Sequence, residues 1–295
     1  MRTLYLGTSD FAAAVLRRLA QSEHRPALVV TRPDRPRGRG RKLAAPPVAE
    51  AARELGLQVF QPESVNTPDA RRRIAAAGPE IGVVCAFGAL IKEPLLSDYE
   101  LLNVHPSLLP RWRGAAPVER AIMAGDEQTG VSIMQLTAGL DSGPVCLQEA
   151  VPIRPEDDYA TLAARLQTLG GELLVQALDQ RPPCAEQPEE GVTYAEKIGP
   201  EDRLLDPERP AVELERRVRA LHRHIGARLA LPGGEFLGVR RAAVRGEGGP
   251  PPGTLADVDG HLLLGTADGA LELFEVQPPG GRVMTAAEYV RGHPV

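Results

Sequence analysis

Cysteine is scarce in this chain: Cys85, Cys146 and Cys184 are odd in number and far apart. They form neither a disulfide framework nor a Cys-x-x-Cys metal or redox motif, so all three are expected to be reduced thiols. Lysine is as scarce, with Lys42, Lys92 and Lys197 the whole set, so arginine carries nearly all of the positive charge. No apolar run approaches the ~18 residues of a membrane helix, and the longest, 82–91, is broken by glycines. No membrane association is expected. The first residues also lack the apolar stretch and small-residue cleavage site of a signal peptide, so a cytoplasmic location is expected. The first glycine turn, Gly7-Thr8-Ser9-Asp10-Phe11, lacks the Gly-x-Gly-x-x-Gly spacing that lets a backbone approach a pyrophosphate, which speaks against a nicotinamide dehydrogenase. Ser107 lies outside a Gly-x-Ser-x-Gly elbow, which speaks against a serine hydrolase. His222 and His224 stand two apart without a partnering ligand motif, so no metal is expected.

At 295 residues the chain exceeds what one core usually holds, since domains cluster near ~100 to 150 residues, and two units are expected. Hydrophobic residues at 43% and charged residues at 25% match soluble globular proteins. The net charge of −5 conceals an uneven distribution. Residues 32–42 hold six basic side chains against Asp34, a balance of +5, and residues 216–245 hold eight arginines against Glu235, a balance of +7. Two basic patches on an otherwise acidic body suit a phosphate backbone held at selected places. The plain alternative is a solvated arginine-rich face.

Apolar patterning sets out the organisation. Residues 3–6 read as a buried strand, and Phe11, Val15 and Leu19 recur at helical spacing behind a cap at Ser9 or Asp10, which opens a βα unit. Strands are expected at 27–31, 58–60, 81–85, 101–105, 130–136 and 145–153, with helices at 48–55, near 118–124 and along Leu162, Leu166, Leu169 and Leu173. Continuous apolar strands between helices imply an α/β domain with a mostly parallel sheet covered on both faces. Residues 1–182 are assigned to it, and the Pro-, Glu- and Gln-rich stretch that follows makes 183–206 a linker. A helix marked by Leu214, Val218, Leu221 and Ile225 begins a second domain, 207–295. Its short strands and its Asp259-Gly260 and Asp268-Gly269 hairpin signals predict a small OB-like β-barrel, and Thr285 with Glu288 forms a capping-box pattern.

The stretch 103–114 carries the most chemistry. Asn103 and His105 are two apart on a strand, so alternation sets both on one face at its carboxyl end, where ligands bind in open α/β sheets. An amide donor and an imidazole can hold a developing oxyanion and move a proton, the two needs of acyl transfer to an amine. Asp141, in the glycine-flanked loop 139–143, is the third candidate. Each has a bland reading, a polar pair satisfying loop backbone or an ordinary Asp-Ser-Gly turn.

Taken together, Asn103-x-His105, Ser107-Leu108-Leu109-Pro110, Arg113-Gly114 and Gly139-Leu140-Asp141-Ser142-Gly143 resemble the formyltransferase family that uses 10-formyltetrahydrofolate. The likeness runs nearly the whole chain through Gly7-Thr8-Ser9-Asp10-Phe11, Gln61-Pro62-Glu63-Ser64 and Thr193-Tyr194-Ala195-Glu196-Lys197. It implies a Rossmann-like catalytic domain followed by an OB-like, tRNA-binding domain. It also implies Asn103, His105 and Asp141 as catalytic residues. A folate pocket would be walled by Phe87, Gly88, Ala89, Leu90 and Ile91, with Ser107, Leu108, Leu109 and Pro110 as a second folate-contacting loop. The basic stretch 32–42 resembles the insertion by which tRNA-specific members grip the acceptor stem, which implies tRNA contacts at Arg37, Arg39, Arg41 and Lys42. The implied reaction moves the formyl group of 10-formyltetrahydrofolate to the α-amino group of initiator methionyl-tRNA, and a monomer is expected. Amino-sugar nucleotides or water as acceptors keep the chemistry but leave the basic loop unexplained, and a non-catalytic RNA-binding protein leaves the triad unexplained. The chain departs from the family pattern at Phe87, commonly a tyrosine, at His222-Arg223-His224-Ile225-Gly226, where many members have an Asn-Pro-Trp-Pro type element, and in ending soon after Gly292.

Overall fold

The computed structural model of the protein describes residues 1–37, 42–246 and 248–293. Arg39 and Arg41, two of the expected tRNA contacts, lie outside the described residues. In chain order the elements are β1 (Thr3–Gly7), α1 (Asp10–Ala20), β2 (Pro26–Val30), β3 (Arg35–Arg37), β4 (Lys42–Ala44), α2 (Pro47–Glu54), β5 (Val59–Phe60), α3 (Pro68–Ala76), β6 (Ile81–Cys85), α4 (Leu95–Asp98), β7 (Leu101–His105), β8 (Arg113–Gly114), α5 (Pro117–Ala124), β9 (Gln128–Gln135), β10 (Val145–Pro152) and α6 (Tyr159–Gln180). After these come β11 (Tyr194–Ala195), α7 (Ala211–Leu221), β12 (Ala227–Ala230), β13 (Phe236–Arg245), β14 (Leu255–Val258), β15 (His261–Thr266), β16 (Gly269–Gln277), β17 (Met284–Thr285) and α8 (Ala286–Gly292). They divide into two compact units, one of Met1–Gly114, Thr129–Pro152 and Ala163–Tyr194, the other of Ala115–Gln128, Ile153–Leu162 and Ala195–Val295.

The first unit is built on a seven-stranded sheet in the order β10-β9-β7-β6-β1-β2-β5. From β5 to β7 neighbouring strands run parallel, and β9 lies antiparallel to β7. Parallel strands buried on both faces need near-continuous apolar sequence, and β1, β6 and β7 are buried along their whole length. The strand order reverses at β1, so the loops after β1, β6 and β7 open on the switch-point crevice. Gly7 ends β1 where a Cβ would lie 2.8 Å from the Tyr5 ring and 2.9 Å from Ala12 Cβ, so only glycine lets α1 start so close to the sheet. Ser9 caps that helix by accepting from Ala12 N–H.

Helix α3 and the β3–β4 hairpin are among the elements of this unit that have no counterpart in the apolar reading. Helix α3 buries only Ala70 and Ile74, too narrow a stripe to stand out, and the basic stretch folds into the β3–β4 hairpin. A further difference is a correction: Cys146 and Cys184 are joined by a disulfide, and Cys85 alone is free. Sequence distance hid this pair because Val145 and Ala185 exchange backbone hydrogen bonds of 2.8 and 2.9 Å, which set the two cysteines side by side.

The second unit is β-rich. Its antiparallel sheet follows the order β12-β13-β16-β15-β14, with β17 on β16. Helix α7 lays Leu214, Val218 and Leu221 on a core shared with Leu237, Leu264 and Leu271. The Asp259-Gly260 turn joins β14 to β15 with both residues at positive φ, as the hairpin signal demands. Thr285 and Glu288 form the expected capping box at α8.

Candidate active site

The carboxyl end of β7 brings the three candidate side chains together. Asn103 and His105 are 7% and 4% exposed, and Asn103 Nδ2 donates to Asp141 Oδ1 across 3.3 Å. Asp141 Oδ2 stands 3.6 Å from His105 Nδ1 and accepts from Gly114 N–H at 2.8 Å. The other imidazole nitrogen, Nε2, is 2.8 Å from the Trp112 carbonyl oxygen. A carbonyl only accepts, so Nε2 carries a proton, and in the neutral ring Nδ1 is the basic atom, facing Asp141. Of the two Asn103 amide protons, one serves Asp141, which leaves the other for a ligand. Trp112 and Asp141 hold these positions at φ values of +64° and +44°.

Such left-handed backbone in non-glycine residues persists only where neighbours hold it. Thr193 accepts from Trp112 N–H on its hydroxyl and from Arg113 N–H on its carbonyl, both at 2.9 Å. Gln187 Nε2 donates to the carbonyls of Asp141 and Gly143, both at 2.8 Å, while its Oε1 accepts from Arg113 Nε at 3.0 Å. At Gly143 a Cβ would fall 2.0 Å from the Gln135 carbonyl oxygen, so the loop can pass there only as glycine.

The two loops expected to contact folate are pinned separately. In the loop after β6, Phe87 and Ile91 are buried in an apolar cluster and Leu90 is exposed. Thr8 Oγ1, Arg32 Nη1 and Asn66 Nδ2 donate to the carbonyls of Phe87, Gly88 and Leu90 at 2.7, 2.6 and 2.8 Å. The N–H groups of 88–91 meet no protein acceptor among the described residues, so an apolar wall there carries unspent donors. Burial pushes the Cys85 thiol before this loop up to about 12, against a smaller lowering by the Tyr5 hydrogen bond, so it is neutral and no nucleophile. In the loop after β7, Ser107 Oγ donates to the Arg111 carbonyl at 2.6 Å. Ser132 Oγ, fully buried, donates to the Ser107 carbonyl at 2.7 Å and accepts from Leu109 N–H and Gln148 Nε2 at 3.2 and 2.8 Å.

On the basic hairpin Arg37 pairs with Lys42, and Lys42 is exposed. Gln61 Nε2 donates to the Arg32 carbonyl and to Asp34 Oδ1 at 2.9 and 2.7 Å, and Glu63 pairs with Arg35 at 2.9 Å. The Gln61-Pro62-Glu63-Ser64 motif thus fastens the hairpin base. Sequence reasoning missed Ser132, Gln148 and Gln187. The one signal for Ser132 was a hydroxyl inside the apolar run Val131–Met134, where a buried polar group needs partners. Among the described residues no cluster of three or more His, Cys, Asp or Glu could hold a metal ion, and no helix is long and apolar enough to cross a membrane.

Comparison with known proteins matches residues 1–178 to the formyl transferase family model and residues 197–294 to the formyl transferase C-terminal domain. A methionyl-tRNA formyltransferase of Halorhodospira halophila is 45% identical over 301 residues, covering 99% of this chain and 96% of that protein. Among solved structures, HypX from Aquifex aeolicus in complex with tetrahydrofolic acid aligns with a TM-score of 0.65 and 20% identity over 98% of this chain. This chain spans 47% of HypX, about half its length. An N-formyltransferase from Helicobacter canadensis, in complex with folinic acid and dTDP-3-aminofucose, aligns with a TM-score of 0.68 and 15% identity over 92% of this chain and 98% of that one. At those identities the two structures speak for the fold alone. Near-complete coverage at 45% identity, with both domain models in register, makes this chain a member of the methionyl-tRNA formyltransferase family.

Proposed function

We propose that the protein transfers the formyl group of 10-formyltetrahydrofolate to the α-amino group of methionine esterified to initiator tRNA, with Asn103, His105 and Asp141 as the reacting constellation. The observation that carries this reading is the convergence of an amide donor, an imidazole and a carboxylate on one point at the carboxyl end of β7. The folate co-substrate supplies an activated formyl carbon. The acceptor amine titrates near ~7.7 to 8.0, so roughly a tenth is already neutral at pH 7 and no enzyme nucleophile is needed. Asn103 Nδ2 has a proton free for the oxygen that gains charge as the amine attacks, a contact worth roughly 3 to 4 kcal/mol in other acyl-transfer sites. His105 Nδ1 takes the proton the amine sheds, opposite the Asp141 carboxylate, and returns it to the departing folate nitrogen.

The loop 87–91 supports the folate assignment by its fit: an apolar wall for a flat ring beside free N–H groups. Phe87 to Ile91 and Ser107 to Pro110 are assigned to that pocket. Arg37, Arg39, Arg41 and Lys42 are assigned to the acceptor stem, and residues 207–295 to a tRNA-binding domain. Support within the second unit comes from Arg203, Arg228 and Arg240, none of which pairs with a carboxylate among the described residues. In this reading the protein works in the cytoplasm as a monomer. Purified protein with 10-formyltetrahydrofolate should formylate charged initiator Met-tRNA and leave charged elongator Met-tRNA largely untouched. No product from either, with folate bound, would turn the reading toward an amino-sugar or water acceptor.

A further inference from the structure

We infer that Gln187 is a positioning residue for Asp141, and through it for the reaction; this rests on the catalytic role proposed above. The geometry is a clamp with two jaws, both anchored on the adjacent residues of β8. Gly114 N–H holds the Asp141 carboxylate by Oδ2 at 2.8 Å. Arg113, 9% exposed, turns its Nε to Gln187 Oε1 at 3.0 Å, which fixes the carboxamide the only way its dipole can point. A flipped amide would set its oxygen against two carbonyls and its NH2 against the guanidinium. In the observed orientation Nε2 spends both protons on the turn itself, one on the Asp141 carbonyl and one on the Gly143 carbonyl, each at 2.8 Å.

That turn needs holding. Asp141 sits at φ +44°, a left-handed conformation that an L-residue leaves readily unless it is held. Its carboxylate also meets Asn103 and His105 at 3.3 and 3.6 Å, so a small relaxation of the backbone would carry it out of reach of both. The Gln187 segment is itself tied down just upstream, by the Val145–Ala185 pair and the Cys146–Cys184 disulfide. Segment, amide and turn form one chain of contacts ending on the carboxylate.

The test is Gln187→Met, which keeps the length and bulk of the side chain and removes both donors, measured alone and on an Asp141→Ala background. Alone it should lower kcat by roughly 10- to 100-fold, the range a misplacement of about 1 Å produces, with the KM for folate and tRNA little changed. On the Asp141→Ala background it should change kcat by less than about twofold, because the group it positions is gone. Amide exchange at 139–143 should quicken in Gln187→Met. Should Gln187→Met fail to fold, Gln187→Glu replaces it: the carboxylate keeps Arg113 and faces two carbonyls without a donor, and the same pair of backgrounds applies. Equal fold-losses on both backgrounds, or wild-type kcat with wild-type exchange at 139–143, would overturn the role. A wild-type enzyme that formylates neither tRNA would instead remove the reading on which it rests, and the role with it.

Discussion

Replacing Ser132 by alanine should loosen the loop after β7 and with it the folate site, and the size of the effect follows from three contacts. The hydroxyl is fully buried on β9 and bonds the Ser107 carbonyl, Leu109 N–H and Gln148 Nε2 at 2.7, 3.2 and 2.8 Å. Gln148 keeps a partner in the variant, since Nε2 also donates to the Leu109 carbonyl at 3.0 Å. The Ser107 carbonyl and Leu109 N–H do not, and each buried group left unpaired costs about 1 to 3 kcal/mol. Alanine fits the space without strain, so the expected loss for the two groups is about 2 to 6 kcal/mol, a drop in Tm of roughly 4 to 12 °C at ~2 °C per kcal/mol for a chain of this size. The freed loop should also raise the KM for 10-formyltetrahydrofolate more than the KM for tRNA, because both orphaned groups lie in 107–109. Calorimetric melting with steady-state kinetics at varied folate reads both quantities. A Tm within a degree of wild type together with an unchanged folate KM would refute the idea that this hydroxyl organises the loop.

Asn103→Ala removes the free amide proton at the oxyanion, and kcat should fall by about 100- to 1000-fold with KM nearly constant, read from single-turnover formylation. In the second unit the Asp202 carboxyl meets burial that works to raise its pKa, but hydrogen bonds from Arg120 and Gly199, with the Arg120 and Arg217 charges, outweigh it and hold the group below the usual carboxylate range. The stabilisation is therefore present above the ordinary aspartate pKa near ~3.9 and lost as pH falls through the lowered folded value, so Asp202→Asn should flatten the acid limb of stability against pH. Arg228→Ala and Arg240→Ala should weaken tRNA binding and reduce the slope of log affinity against log salt by up to about 1 each, with kcat at saturating tRNA unchanged. An unchanged slope would locate the tRNA backbone elsewhere. Alkylation of unfolded protein kept from reductant should label one cysteine, Cys85, and three after reduction.

How much of this was legible beforehand depended on whether a residue's task is local. The strand at β7 and the pairing of Asn103 with His105 on one face follow from apolar run length and the two-residue period, which are properties of consecutive residues. The Ser9 cap, the Thr285–Glu288 box and the Asp259-Gly260 turn are equally local, and each stands where its residue types demand. Helix α3 escaped because Arg71, Arg72 and Arg73 dilute its narrow apolar stripe. The Cys146–Cys184 bridge escaped because cysteine arithmetic counts residues and spacings, whereas the bridge depends on β10 meeting an irregular segment at an isolated backbone pair, with the two cysteines 38 residues apart in sequence.

The candidate active site divides along the same line, which explains why its residue types were readable and their support was not. In the proposed mechanism Asn103, His105 and Asp141 act on the reacting group, and such residue types stand out at a strand end or in a glycine-flanked loop. Ser132 and Gln187 do nothing to a substrate. They satisfy the Ser107 carbonyl and Leu109 N–H, and the Asp141 and Gly143 carbonyls, groups whose need for partners arises only once β7, β9 and the returning segment 185–193 have been brought together. A glutamine in a Pro- and Glu-rich stretch reads as linker for the same reason: its two acceptors are 46 and 44 residues away. The geometry of the proposed site is then a property of that returning segment as much as of the motif residues. Cutting the chain at 182, where composition suggests a boundary, should abolish formyl transfer even with Asn103, His105 and Asp141 intact, while a cut made after Tyr194, where the first unit ends, keeps the clamp. Comparing the two truncations for amide exchange at 139–143 tests that directly, and equal protection in both would mean the turn needs no help from beyond residue 182.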